Sequence, residues 1–136
     1  MIDCACAILV RDGRILLAKR SPHRTVYPDV WDVVGGKREP GEDIEAALIR
    51  ETQEEVDVTP RAFRKLATLT EPQPEAHGQR TYHIYLVTAW DGPGPRMLGD
   101  EHSEIRWMTI EEALSLDLAL SEYRDVFEQL RREGAA

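Results

Sequence analysis

The sequence predicts an α+β fold in which a mixed β-sheet is flanked by helices. Two observations lead to this prediction: strand-like segments outnumber helical ones, and the few helices follow runs of strands along the chain. The chain has 136 residues and no internal repeat, low-complexity tract or interdomain linker. We therefore expect a single domain spanning residues 1–136.

The first elements are indicated by apolar runs and turn chemistry. Cys4–Val10 and Ile15–Ala18 flank an Asp12-Gly13 turn, which is typical of a β-hairpin. Two prolines mark the following segment, 21–29, as a loop. A short strand is then expected around Trp31–Val34, leading into the Gly35-Gly36 pair.

The second half is predicted from periodicity and capping signals. Thr109 and Glu112 form a capping box for a short helix through Leu116, and an apolar stripe from Tyr123 to Leu130 predicts a last helix that Gly134 ends. The other expected elements are a helix near 43–56, strands near 63–70, 82–90 and 105–108, a flexible connection over 72–78, and a Gly/Pro-rich loop over 91–99.

Charge and composition exclude several classes of protein. A net charge of −8 argues against binding to a nucleic-acid polymer. The longest uncharged apolar run, Cys4–Val10, is too short to cross a membrane, and no secretory signal is evident. Cys4 and Cys6 alternate on one strand face, which does not favour a disulfide. These features predict a cytoplasmic protein with reduced thiols, either a monomer or a homodimer.

The negative charge is concentrated on the predicted helix. Seven acidic residues and one basic residue lie between Glu42 and Asp57. On a helical wheel the apolar stripe of this segment continues into Glu51, Glu54 and Glu55. A solvated face with an Arg50–Glu54 pair would be the ordinary interpretation. However, three like charges near the negative end of a helix repel one another, so the pattern favours a hard divalent cation.

The spacing around this helix resembles the Nudix box, G-x5-E-x7-R-E-U-x-E-E-x-G-U, where U is a bulky aliphatic residue. The matching positions are Gly36, Glu42, Arg50, Glu51, Glu54, Glu55 and Val58. Thr52 and Asp57 depart from the pattern, at an aliphatic position and at the helix-ending glycine. Aspartate tolerates left-handed backbone, so we expect the turn to survive.

Further segments resemble the MutT-like group of Nudix nucleotide pyrophosphohydrolases. They are the hairpin ending at Arg20, the run Trp31–Gly36, and the stretch from Trp90 to Met108. The resemblance implies an α/β/α sandwich around a mixed sheet. It also implies Mg²⁺- or Mn²⁺-dependent hydrolysis of a phosphoanhydride in a nucleoside diphosphate derivative.

Site residues follow from this resemblance. It implies that Glu51, Glu54 and Glu55 bind metal with the Gly35 carbonyl, and that Arg50 and Glu42 support the carboxylates. The candidate catalytic residues are Glu54, Glu51, Arg50 and Glu101. The general base stays open between a box glutamate, Glu101 and Glu104. The candidate substrate contacts are Arg20, His23 and Gly36.

The substrate is the least determined part of the prediction. We expect a (d)NTP pyrophosphohydrolase that releases a nucleoside monophosphate and pyrophosphate, with oxidised guanine nucleotides among the candidate substrates. Pro72 and Pro74 leave open an ADP-ribose or nucleotide-sugar diphosphatase. A non-catalytic nucleotide sensor is the third alternative, although such domains usually lose box carboxylates and this sequence retains them.

Overall fold

The computed structural model describes residues 1–136 and shows a seven-stranded sheet with four helices. The strands are β1 (Ile2–Arg11), β2 (Arg14–Arg20), β3 (Trp31–Asp32), β4 (Val34–Lys37), β5 (Thr59–Thr70), β6 (Arg80–Asp91) and β7 (His102–Met108). The helices are α1 (Ile44–Val56), α2 (Pro74–His77), α3 (Ile110–Leu114) and α4 (Tyr123–Glu133).

Strand β1 is the centre of the sheet. It pairs parallel with β6 and antiparallel with β2 and β4. Strand β5 extends the sheet beyond β6, while β3 and β7 both pair with β2. The sheet is therefore mixed, as predicted, and the parallel β1–β6 pair joins segments far apart in sequence.

Side chains alternate along β1 and supply two cores. Cys4, Cys6 and Ile8 pack with residues of α3 and α4 on one face. Ala5, Ala7 and Leu9 pack with Ala47 and Leu48 of α1 on the other face. This arrangement is the α/β/α sandwich that the sequence resemblance implied.

Local signals in the sequence account for the ends of several elements. Asp12 and Gly13 both have positive φ, as a two-residue hairpin turn requires. Asp43 caps α1 by accepting from the Ala46 amide, and Thr109 with Glu112 forms the expected capping box. Gly134 ends α4 in the left-handed conformation.

The structure differs from the sequence prediction in several places. Strand β7 begins at His102 rather than near residue 105. Strand β5 begins at Thr59 rather than near Phe63, and Trp31–Val34 contributes to two short strands with different partners. The predicted flexible connection over 72–78 contains helix α2. None of the helices is long and apolar enough to cross a bilayer.

Candidate active site

Helix α1 presents its acidic face to one end of a cleft of about 330 Å³. Glu51 and Glu55 line this cleft together with Gly35 and Gly36 of β4 and Glu101, which precedes β7. Segments that are distant in sequence therefore meet at one place. The sequence prediction that the α1 carboxylates form a site is consistent with this geometry.

Arg50 organises the carboxylates at the mouth of this site. Its Nε and Nη2 donate to the two carboxylate oxygens of Glu42 at 2.8 and 2.9 Å. Its Nη1 donates to Glu51 at 2.9 Å and to Glu54 at 3.2 Å, and Nη2 also reaches the Lys37 carbonyl at 2.9 Å. One planar guanidinium thus holds three carboxylates and ties α1 to β4.

The exposure of these carboxylates differs. The Glu51 side chain is 14% exposed and that of Glu54 is 59% exposed. Burial raises the pKa of Glu51, against the opposing effect of Arg50. By contrast, the hydrogen bonds from Arg50 and from the Glu39 amide lower the pKa of Glu42 to about 2. Glu42 is therefore a firmly ionised partner of Arg50, whereas Glu51 is charged at an energetic cost.

Glu55 is the most deeply placed acid of the cluster. It is 6% exposed, and its Oε2 accepts from the Gly35 amide at 2.9 Å. Burial raises its pKa well above the ordinary value, and contact with the Glu101 carboxyl and the charge on Glu51 add to this. A carboxyl group this deeply buried is favoured in its protonated form unless a cation stabilises its charge.

The two glycines of β4 allow this close approach. A Cβ at Gly35 would collide with the backbone carbonyl of Ala5, and its φ of +144° favours glycine. A Cβ at Gly36 would collide with the carboxylate of Glu51. The pair therefore lets β4 pack on β1 while Glu51 lies directly against the strand.

The donor set fits a hard divalent cation in its chemistry. Glu51, Glu55 and Glu101 offer carboxylate oxygens, and the Gly35–Gly36 segment adds backbone polar groups beside them. Burial raises the pKa of both Glu51 and Glu55, so a cation bound beside them would stabilise their ionised forms. No three acidic, histidine or cysteine side chains already converge as a complete metal site, and Glu54 is directed to Arg50.

The loop acids behave differently from each other. Glu101 lines the cleft and contacts Glu55, while Glu104 pairs with Arg106 on β7. Of the two alternatives for an additional acid, the structure brings only Glu101 to the cluster.

The predicted substrate contacts are separated by the structure. Arg20 lines the cleft, but its Nη1 pairs with Asp32 at 3.2 Å and its Nε donates to the Val26 and Tyr27 carbonyls. His23 is 60% exposed, lies 4.0 Å from an Asp100 oxygen and does not line the cleft. Arg20 therefore supports the loop over 21–30 in addition to any contact with a ligand.

Several cleft residues had no distinct signal in the sequence. Asp32 accepts from Tyr123 at 2.7 Å and from the Val33 amide, and burial raises its pKa despite these bonds and Arg20. His102 is buried beside the cleft, and burial together with Arg20 and Arg24 lowers its pKa to about 4. The contacts of Asp32 and His102 join segments that are far apart in the chain, so local sequence patterns do not predict them.

Comparison with known proteins identifies the family of the chain. The sequence profile of the NUDIX domain matches residues 2–130. A CTP pyrophosphohydrolase of Escherichia coli (strain K12) is 36% identical over 121 residues, covering 88% of this chain and 84% of that protein. The nucleoside triphosphatase NudI of Salmonella agona is 34% identical over 124 residues, covering 83% and 85% respectively.

Solved structures resemble the whole chain. A MutT NUDIX hydrolase from Burkholderia pseudomallei has a TM-score of 0.81 at 28% identity, covering 95% of this chain and 97% of that one. The E. coli ORF135 protein has a TM-score of 0.78 at 32% identity, covering 96% and 91%. The fold is thus shared with a MutT NUDIX hydrolase of known structure.

Proposed function

The chain belongs to the NUDIX family of hydrolases, and on this basis we propose that it hydrolyses nucleoside triphosphates to a nucleoside monophosphate and pyrophosphate. The observation that supports this most directly is the carboxylate cluster of Glu51, Glu55 and Glu101 at one end of the cleft. Relatives named as a CTP pyrophosphohydrolase and a nucleoside triphosphatase favour a triphosphate substrate.

The carboxylates would hold Mg²⁺ or Mn²⁺. We assign Glu51 and Glu55, which line the cleft, to the metal with the Gly35 carbonyl beside them. Glu54, whose side chain is directed to Arg50, is assigned to the metal on the Nudix-box pattern alone. A divalent ion held there would neutralise charge on the polyphosphate and would make water a better nucleophile. Without such an ion, a polyphosphate would be repelled by the same carboxylates that line the cleft.

The residues of the chain then have separate tasks. Arg50 holds Glu51 and Glu54 in place through its hydrogen bonds, and Glu42 keeps Arg50 charged and oriented. Glu101, which contacts Glu55, is our candidate to accept the proton of the attacking water. Water adds to a phosphorus of the anhydride, and the bridging P–O bond breaks with its electrons on the departing phosphate oxygen.

Cations on other parts of the cleft are suited to the phosphates. Lys37 follows Gly36 on β4 and lines the cleft. Arg20 also lines it and leaves Nη2 without a protein partner, so it remains a candidate phosphate contact. Gly36 lines the cleft beside Glu51 and remains a candidate backbone contact for the substrate.

The alternative of an ADP-ribose or nucleotide-sugar diphosphatase has no supporting observation in the fold. Pro74, one of the two prolines behind it, is the first residue of α2. Proline is common at this position because its fixed φ suits a helix start. Its presence therefore has a local explanation.

The decisive experiment is a substrate panel with purified protein and Mg²⁺ or Mn²⁺. It should include canonical and oxidised (d)NTPs, ADP-ribose, nucleotide sugars and dinucleoside polyphosphates, with monophosphate and pyrophosphate identified as products. We expect a triphosphate to give the highest kcat/KM and chelator to abolish turnover. Release of inorganic phosphate from triphosphates, or preference for ADP-ribose, would contradict the proposal.

A further inference from the structure

A buried carboxylate behind the cleft joins two separate segments of the chain. Glu71, directly after β5, is only 3% exposed. Its Oε2 accepts from the Tyr27 hydroxyl at 2.5 Å, and its Oε1 accepts from the Tyr82 hydroxyl at 2.6 Å. The Gln73 amide completes the set at 3.0 Å. Both tyrosines line the cleft, although Glu71 itself does not.

The hydrogen bonds keep this carboxylate ionised despite its burial. Burial opposes the charge, but the bonds from Tyr27, Tyr82 and Gln73 lower the pKa of Glu71. Burial and the Glu71 carboxylate in turn raise the pKa of both phenols. Each tyrosine is therefore a neutral donor to a charged acceptor, which is a stronger bond than one between neutral groups.

Tyr27 has a backbone that requires such support. Its φ of +49° is unfavourable for a bulky residue. Conformations of this kind persist when surrounding contacts over-determine them. Glu71 accepts from the hydroxyl, and the His77 ring packs against the phenol at a tilt of 40°, with 4.4 Å between ring centroids. Arg20 donates to the Tyr27 carbonyl at 3.0 Å.

The register of the sheet separates Tyr82 from the strand beside the acidic side chains of α1. Tyr82 pairs with Cys4 across β1, and Cys4 pairs with Lys37 of β4 on the other side. Two strand spacings, about 10 Å, thus separate Tyr82 from the strand that holds Gly35 and Gly36. Because the hydroxyls of Tyr27 and Tyr82 both donate to Glu71, a ligand in the cleft would contact the phenol rings of these two residues.

We propose that Glu71 is a positioning residue for the nucleoside end of the substrate, and this inference rests on the proposed function. It fixes Tyr27 and Tyr82 as one aromatic wall of the cleft, beyond the phosphates. Its contribution is made equally in the bound substrate and in the transition state. Loss of Glu71 should therefore affect KM rather than kcat.

The test compares Glu71→Gln and Tyr27→Phe with the wild-type enzyme on its best triphosphate. We expect Glu71→Gln to raise KM about 10-fold and Tyr27→Phe several-fold, with kcat within about 3-fold. The Kd of a non-hydrolysable triphosphate, measured by calorimetry, should rise in parallel. The double variant should have a KM no higher than that of Glu71→Gln, since both changes break the same link.

Two control variants separate positioning from general stability. Tyr85→Phe makes the same chemical change at a buried tyrosine on the α1 side of the sheet. Thr109→Ala removes the capping box of α3 and weakens the fold. Neither should change KM at a temperature well below its Tm. Tyr27→Phe changes a loop residue and provides the test if Glu71→Gln does not fold.

The outcomes distinguish the two proposals. Wild-type turnover of triphosphates, with KM and Kd of both variants within about 2-fold of wild type, would overturn the role of Glu71 alone. An equal rise in KM in the control variants would do the same. Absence of triphosphate turnover by the wild-type protein would contradict the proposed function, and this inference with it.

Discussion

At the scale of single residues, the site depends on the geometry of one guanidinium. Arg50 bonds to Glu42, Glu51 and Glu54 and to the Lys37 carbonyl, which a single ammonium cannot reproduce. We expect Arg50→Lys to lower turnover by about 10- to 100-fold, because Glu51 and Glu54 lose their orientation.

Steady-state kinetics and thermal melting would check this prediction. Arg131→Lys is the matched control, since Arg131 also bonds both oxygens of a single carboxylate, that of Glu128, on the exposed face of α4. Turnover of Arg50→Lys equal to that of the control would show that the network does not position the carboxylates.

Glu55 should link the stability of the metal-free protein to pH. Its folded-state pKa lies well above the ordinary 4.5, so the native state favours the protonated acid. Its stabilising contribution is therefore complete below pH 4.5 and is lost as pH rises through the folded pKa. His102, with a pKa of about 4, has the opposite effect, but only below pH 6.5.

We accordingly expect Glu55→Gln to gain stability relative to wild type, without metal, as pH rises from 4.5 towards the folded-state pKa of Glu55. Its turnover should fall at least 100-fold, since it removes a metal-binding charge. Thermal melts from pH 5 to 9 in the presence of chelator would measure the first effect. A constant difference in Tm across that range would contradict the assignment of a raised pKa.

At the scale of elements, the end of α1 is a point of strain. Asp57 occupies the left-handed conformation, with φ +60°, and its amide donates to the Gln53 and Thr52 carbonyls. The Nudix pattern has glycine here. An aspartate at this position is destabilising because the left-handed backbone conformation is unfavourable for it and because its charge lies at the negative end of the helix.

Asp57→Gly should therefore stabilise the protein by about 0.5–1 kcal/mol, which corresponds to about 1–4 °C in Tm. The lost pair with Arg96, whose side chain is 66% exposed, offsets little of this gain. Arg96→Ala is the control that measures the pair by itself. A lower Tm for Asp57→Gly than for Arg96→Ala would show that the ion pair outweighs the strain.

The segment before β7 supplies the second elemental prediction. Glu101 contacts Glu55, whereas Glu104 pairs with Arg106. We expect Glu101→Gln to lower kcat at least 10-fold with KM within a few-fold, because a base or metal ligand acts mainly in the transition state. Glu104→Gln is the matched control and should be nearly wild type. The reverse ranking would assign the role to Glu104.

The sequence was informative where local chemistry determines structure. Hairpin, caps and the acidic stripe of α1 were all predicted because their signals lie within a few residues. The start of β5 was missed because Thr59–Ala62 contains Pro60 and no clear alternation. The Glu71 link was missed because its tyrosine partners come from β6 and from a loop more than forty residues away.

At the scale of the whole molecule, the fold places several acidic side chains close together at one end of the sheet. The two cores hold β1 and β4 rigidly, so that α1 can place acidic side chains against the strand backbone. Most of the net charge of −8 lies on α1 and its flanks. The acidic side chains at the site therefore repel one another in the folded protein, and a bound cation would reduce this repulsion.

Divalent metal should therefore stabilise the whole fold. A cation that binds the assembled cluster and not the unfolded chain adds about 2.7 kcal/mol at 100 times its Kd, or about 5 °C or more in Tm. Mg²⁺ and Mn²⁺ should both raise Tm, in a concentration-dependent manner.

NaCl at matched ionic strength controls for general screening of the negative charge. Glu104→Gln should retain the full shift, because this residue lies outside the cluster, while Glu55→Gln should lose most of it. A shift no larger than that from NaCl, or an equal shift in Glu55→Gln, would contradict a metal site on α1.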